Sequence, residues 1–145
     1  MADVHLVVGM IVLAVNLVAG VWGGIAWLRR HVSVGFWYVL RGAQATVILQ
    51  VLLGALLLIS GREVVDGLHY VYGVAPLVVN LLAEGMRVEA AQREIGDVDF
   101  ESLSAGEQQA TALRIVRREM GIMALAALLV VAFVVRAAQS SGHLF

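Results

Sequence analysis

The sequence predicts an all-α membrane protein: an antiparallel four-helix transmembrane bundle made of two similar helical hairpins. Three observations carry that prediction. Hydrophobic residues make up 61% of the 145-residue chain and charged residues 14%, with a mean hydropathy of +0.88, whereas a soluble domain is about 45–50% apolar and about 25% charged. Four segments approach or exceed the roughly 20 apolar residues that a helix needs to cross hydrocarbon. Part of the first segment recurs in the third. The length suits one domain. Net charge is −1 and cysteine is absent. No basic field exists to draw nucleic acid, and disulfides, thiolate metal sites and cysteine nucleophiles are excluded.

The first span, residues 6–28, is apolar apart from Asn16. It is read as a membrane helix rather than a cleaved signal, because no positive segment precedes it and Arg29 and Arg30 follow it. The second span, 35–60, carries Arg41, Gln44 and Gln50. The third, 67–86, carries His69, Asn80 and Glu84, and Pro76 leaves the carbonyl of Tyr72 without its helical donor. The fourth, 117–136, is short, but Arg117, Arg118 and Arg136 flank it and can snorkel. The short outer loop, 61–66, makes the second and third spans neighbours.

Between the third and fourth spans lies the longest polar stretch, expected as a cytoplasmic hairpin over 88–110. Gly96-Asp97-Val98-Asp99 reads as its turn. Ser104-Ala105-Gly106-Glu107 fits a capping box that starts the last helix near Ala105. Seven arginines (29, 30, 87, 93, 114, 117 and 118) fall on one side of the spans and two (62 and 136) on the other. The positive-inside rule then puts both termini outside. The expected location is the plasma membrane, of the bacterial inner-membrane kind.

Residues 5–19 align without gaps on 69–83, with eight of fifteen positions identical. Leucine, valine and alanine matches come cheaply between membrane spans. The matches of His5 with His69, Gly9 with Gly73 and Asn16 with Asn80 do not, so the chain reads as a duplication. The second halves agree more weakly, Arg41 aligning with Arg117. Both hairpins run the same way, which places a pseudo-two-fold axis along the membrane normal.

Polar groups in a membrane helix face the bundle or a cavity, since lipid offers them no partner. At about 100° per residue, His69, Gly73, Pro76, Asn80, Glu84 and Arg87 share one face of the third span, and His5, Gly9, Asn16, Gly20, Gly23, Trp27 and Arg30 share one face of the first. In the second span Trp37, Arg41 and Gln44 share a face, and Gln50 points away from it. A rise of 1.5 Å per residue puts the two Asn about 16 Å inward of the two His. Three layers are expected: paired His5 and His69, paired Asn16 and Asn80, and a cytoplasmic-side cluster of Arg41, Gln44, Glu84, Arg87 and Glu119.

The histidines admit two readings. They are structural interfacial residues, or they are ligands: axial to a haem b between Gly9 and Gly73, or part of a copper or zinc site with His143 as a third imidazole. The charge cluster is a register-fixing ion pair, Arg41 with Glu84, completed by Gln44 and Asn80, or a polar pocket for a lipid head group, a quinone or an anion. Gly20-x-x-x-Gly24 packs the bundle or makes a homodimer. The charged inner hairpin binds anionic lipid or docks a protein partner. No P-loop, nucleophile elbow, His-Glu-x-x-His or dinucleotide turn is present, which disfavours an independent enzyme. Three functions remain. One is a non-catalytic accessory or assembly subunit of a membrane complex. The others are a haem- or metal-binding electron carrier, and a small transporter or lipid- or quinone-binding protein.

Overall fold

The computed structural model describes residues 2–61, 66–96 and 99–140. They form four long helices: α1 (Ala2–Leu28), α2 (Val34–Ile59), α3 (Leu68–Ile95) and α4 (Ala105–Ser140), with one 3-10 turn at Phe100–Ser102 and no strand among the described residues. Each helix is long and apolar enough to cross a membrane, so the chain is a multi-pass membrane protein. The expected turn residues Asp97 and Val98, the outer-loop Arg62 and the extra imidazole of His143 lie outside the described residues.

The connections follow from local chemistry. At the end of α1 the amides of Arg30 and His31 bond back to the carbonyls of Trp27 and Ala26 at 3.1 and 2.9 Å. This is the Schellman arrangement, with Arg30 in the left-handed position at φ 57°. Glycine usually stands there, since a β-carbon makes that conformation costlier by about 1–2 kcal/mol. Arginine holds it here and keeps a positive charge at the helix end. Ser33 then caps α2, its hydroxyl accepting from the Phe36 amide at 3.3 Å. Gly96 ends α3 at φ 57°, its amide on the Gln92 carbonyl at 2.9 Å. The expected capping box is present. Glu107 donates its amide to the Ser104 hydroxyl at 3.4 Å, and its carboxylate accepts from the Ser104 amide at 3.0 Å. The Ser104 hydroxyl also donates to that carboxylate at 2.6 Å, and this bond first, then the one from the Ser104 amide, lowers the Glu107 carboxyl from its ordinary value.

In the ring of helices α1 touches α2 and α4, and α3 touches α4 and, most lightly of the four contacts, α2. α4 supplies more of the core than any other helix, with Met120, Gly121, Met123, Ala124, Ala126, Ala127 and Val130 among its buried residues. Its Leu128 and Ala124 lie against Gly20 and Gly23 of α1. In lipid there is no hydrophobic drive between helices, so small residues that let backbones approach carry the packing. A β-carbon on Gly20 would stand 2.6 Å from Leu128, one on Gly121 would stand 2.7 Å from Trp27, and one on Gly23 would strike the ring of Phe36. Gly24 has nothing within 4 Å of that position. Only Gly20 of the expected small-residue pair therefore packs inside the bundle.

α3 and α4 continue past their apolar stretches as a charged pair. Glu94 bridges to Arg118 at 3.0 Å and to Arg114 at 3.6 Å, joining the two helices. Ala90 and Thr111 are buried in this extension. Gln108 closes its tip by donating to the carbonyls of Phe100 and Leu103, both at 3.1 Å.

Candidate functional site

The inner layer is built by three helices. α2 contributes Arg41 and Gln44 one turn apart, α3 contributes Glu84 and Arg87, and α4 contributes Glu119. Arg41 Nη1 donates to Glu84 Oε1 at 2.5 Å and to Gln44 Oε1 at 2.6 Å. Gln44 Nε2 donates to the same Glu84 oxygen at 2.8 Å. On the other side Arg87 Nη2 lies 3.0 Å from Glu84 Oε2, and its Nη1 lies 3.7 Å from Glu119 Oε2. The Arg87 guanidinium also sits over the Trp37 ring, 5.7 Å from its centroid. Two cations face two anions, so the layer is neutral. Exposure falls from 51% at Arg41 to 14% at Glu119, so the cluster opens at the α2–α3 edge and is deepest against α4.

Asn80 does not join this cluster, although the sequence suggested it would complete the Arg41–Glu84 bonds. It is buried, and its Nδ2 has no hydrogen-bond partner. The expected Asn pairing is also not formed. Asn16 donates to the Val12 carbonyl of its own helix at 2.9 Å, and its Oδ1 is buried without a partner. Each Asn is turned inward, since lipid gives it nothing. The short side chain of Asn16 finds its own backbone before it finds α3.

The outer layer does bring His5 and His69 together. Their ring centroids are 6.3 Å apart with planes inclined at 59°. His69 Nδ1 lies 2.8 Å from the Ala137 carbonyl of α4. A carbonyl only accepts, so Nδ1 carries a proton. His5 Nε2 lies 3.1 Å from the Gln50 amide of α2. The reading of the sequence left Gln50 out of the interior because it points away from Arg41. Gln50 lies half a turn off the Arg41 face, and that other side of α2 meets α1, where His5 is waiting. A polar side chain far from the charge cluster yet inside an apolar span was the available signal. Gln50 also takes the space beside Gly9, where a β-carbon would stand 3.1 Å from its amide, whereas Gly73 has nothing within 4 Å. The room expected at Gly9 for a flat haem is therefore filled.

All four buried side-chain polar atoms without a partner among the described residues belong to these outer and middle layers: His5 Nδ1, Gln50 Oε1, Asn16 Oδ1 and Asn80 Nδ2. The inner cluster satisfies itself. No group of three or more His, Asp or Glu side chains able to hold a metal occurs among the described residues. Comparison with protein-family models, with curated proteins and with solved structures finds no match for this chain.

Proposed function

We propose that this chain is a non-catalytic accessory or assembly subunit of a larger membrane complex, attached through its charged inner hairpin. The observation that carries the reading is the continuation of α3 and α4 beyond their apolar stretches as one bridged pair, Glu94 holding both Arg114 and Arg118. Such a pair presents fixed charges to a partner and loses little side-chain freedom on docking. The inner polar cluster supports the same reading, because its charges are spent on one another and hold α2, α3 and α4 in register.

The proposed arrangement is an antiparallel bundle of two related hairpins. In support, His5, Gly9 and Gly23 of α1 meet Gln50, Gln50 and Phe36 of α2, and Gly20 and Trp27 meet Leu128 and Gly121 of α4. As one helix is read forward, its neighbour is read backward. The facing of His5 and His69 and the inward turn of both Asn support the duplication. The arginine bias supports termini outside, in the plasma membrane.

The test is purification of the tagged chain, at native expression level, from mildly solubilised membranes. The expected result is migration in an assembly larger than the chain in its micelle. Exchanging Glu89 and Arg93 (Glu89→Arg with Arg93→Glu) keeps their exposed intrahelical pair, now at 2.5 Å, but reverses its direction. That variant should leave the assembly with its helix content intact. A chain that migrates alone from native membranes overturns the proposal.

A further inference from the structure

We infer that the exposed face of α2 around Arg41 is the docking site for a transmembrane helix of a partner subunit, which offers a neutral polar side chain (Ser, Thr, Asn or Gln) as acceptor to the Arg41 guanidinium. The inference rests on the accessory role proposed above and adds an intramembrane contact to it. Arg41 lies seven residues past Val34, the first residue of α2, which is about 10 Å along the helix. The 26 residues of α2 span about 39 Å, against about 30 Å of hydrocarbon. Centred on the bilayer, α2 places the Arg41 backbone about 6 Å inside the hydrocarbon edge.

The charges of the inner cluster balance, and no buried atom of it lacks a partner, but the half-exposed Arg41 keeps donors to spare. A guanidinium donates from every nitrogen. Both Arg41 bonds leave from Nη1, to Glu84 and to Gln44, and its Nη2 and Nε have no partner among the described residues. Half of the side chain is uncovered, where lipid offers no acceptor. Glu84 has no capacity left. Its Oε1 accepts from Arg41 and Gln44, and its Oε2 from Arg87 Nε at 3.1 Å and Nη2 at 3.0 Å, which fills its roughly four lone-pair sites. The missing acceptor therefore comes from outside the chain. It is neutral, because two cations already face two anions and a further anion would leave a net charge in hydrocarbon.

The face around Arg41 has the spacing of a helix seam. Val34, Tyr38, Arg41, Ala45, Ile48 and Leu52 are all exposed and recur at alternating steps of four and three residues. That period keeps one stripe toward a neighbouring helix, and a single polar residue within it fixes register. A second copy is a poor occupant. Copies insert in the same direction, so a two-fold axis along this seam would set one Arg41 against the other. A phospholipid head group is a poor occupant as well. The guanidinium does not reach for the nearer membrane surface; it bonds to Gln44, a turn deeper along α2, and to Glu84.

The experiment places photoreactive benzoylphenylalanine at Ala45 of the full chain, at native expression level, and irradiates intact cells. The expected result is an adduct with a second protein, whose cross-linked peptide lies in an apolar stretch of about 20 residues that carries a Ser, Thr, Asn or Gln. The same probe at Leu125, exposed on α4, should not give that adduct. Arg41→Leu should lower its yield about threefold or more, the worth of an average polar contact between membrane helices. Replacing the partner's polar residue nearest the cross-link by leucine should do the same, and it leaves this chain unaltered if Arg41→Leu disturbs the fold. A yield unmoved by the partner-side replacement overturns the inference. So does the absence of an adduct, or one with lipid or a second copy alone. Each of these failures leaves the accessory role standing while the chain still migrates in its larger assembly, whereas a chain that migrates alone removes both.

Discussion

At the scale of single residues, two kinds of contact decide what the bundle tolerates. Gly23 and Gly24 are sequence neighbours with opposite surroundings, one against Phe36 and one with nothing nearby. Gly23→Ala should lower stability by about 1–3 kcal/mol, the usual cost of overpacking, while Gly24→Ala should be neutral or slightly stabilising, because alanine favours helix over glycine. Unfolding of the two variants in detergent measures the contrast, and equal losses would contradict the packing. The second contact is the Arg41–Glu84 pair. Arg41→Gln and Glu84→Gln should couple by about 1 kcal/mol in a double-mutant cycle, the range found for polar contacts between membrane helices. Glu84→Gln should cost more than Arg41→Gln, because it also removes the nearer of the two carboxylates that hold Arg87. Additive losses would mean that the pair contributes nothing of its own. The Arg41–Glu84 contact was legible before folding, since an intramembrane charge needs an opposite charge at its own depth. The Gln50–His5 contact was not, because it depends on which helix lies on the far side of α2.

Whole elements show where local chemistry suffices. The start of α4 is written in the four residues from Ser104 to Glu107 and needs no partner helix. The Ser104 bonds lower the folded-state value of Glu107. Their contribution is therefore present above the ordinary carboxylate range and is lost as pH falls through the lowered folded value. A carboxylate titration followed by NMR should find Glu107 among the last acidic groups to protonate on acidification. Ser104→Ala removes the hydroxyl bond but keeps the amide one, so it should move Glu107 part of the way back toward its ordinary value, and an unmoved titration would show that the hydroxyl bond does not form. α3 and α4 outlast their apolar windows for a different reason. Hydropathy marks where lipid stops, but the helix goes on because Glu94, Arg114 and Arg118 bridge it to its neighbour. The hairpin expected over 88–110 with its turn at Gly96 agrees with a helix that runs to Ile95, whereas the Glu94 bridges to Arg114 and Arg118 needed the structure.

At the scale of the molecule, the loosest edge is between α2 and α3, while α4 is held by both α1 and α3. The direction of insertion can be tested directly, because the chain has no cysteine of its own. A membrane-impermeant maleimide should label Ser60→Cys in intact cells, and should label Ser33→Cys and Ser102→Cys only after the cells are opened. Labelling in the reverse order would overturn the proposed orientation.

The sequence by itself determined the number of helices, the capping box that starts α4 and the inward turn of Asn16 and Asn80, though not that of Gln50. These depend on the cost of placing a peptide or a charge in hydrocarbon and on bonds reaching at most a few residues along the chain. Only the tertiary structure decided who meets whom. It set Gln50 rather than lipid beside His5, left Asn16 and Asn80 unpaired, and excluded Asn80 from the Arg41–Glu84 cluster. Those outcomes depend on the order of helices around the bundle and on side-chain reach across it. In a membrane small residues permit many close approaches, and no hydrophobic gradient between helices selects among them beforehand.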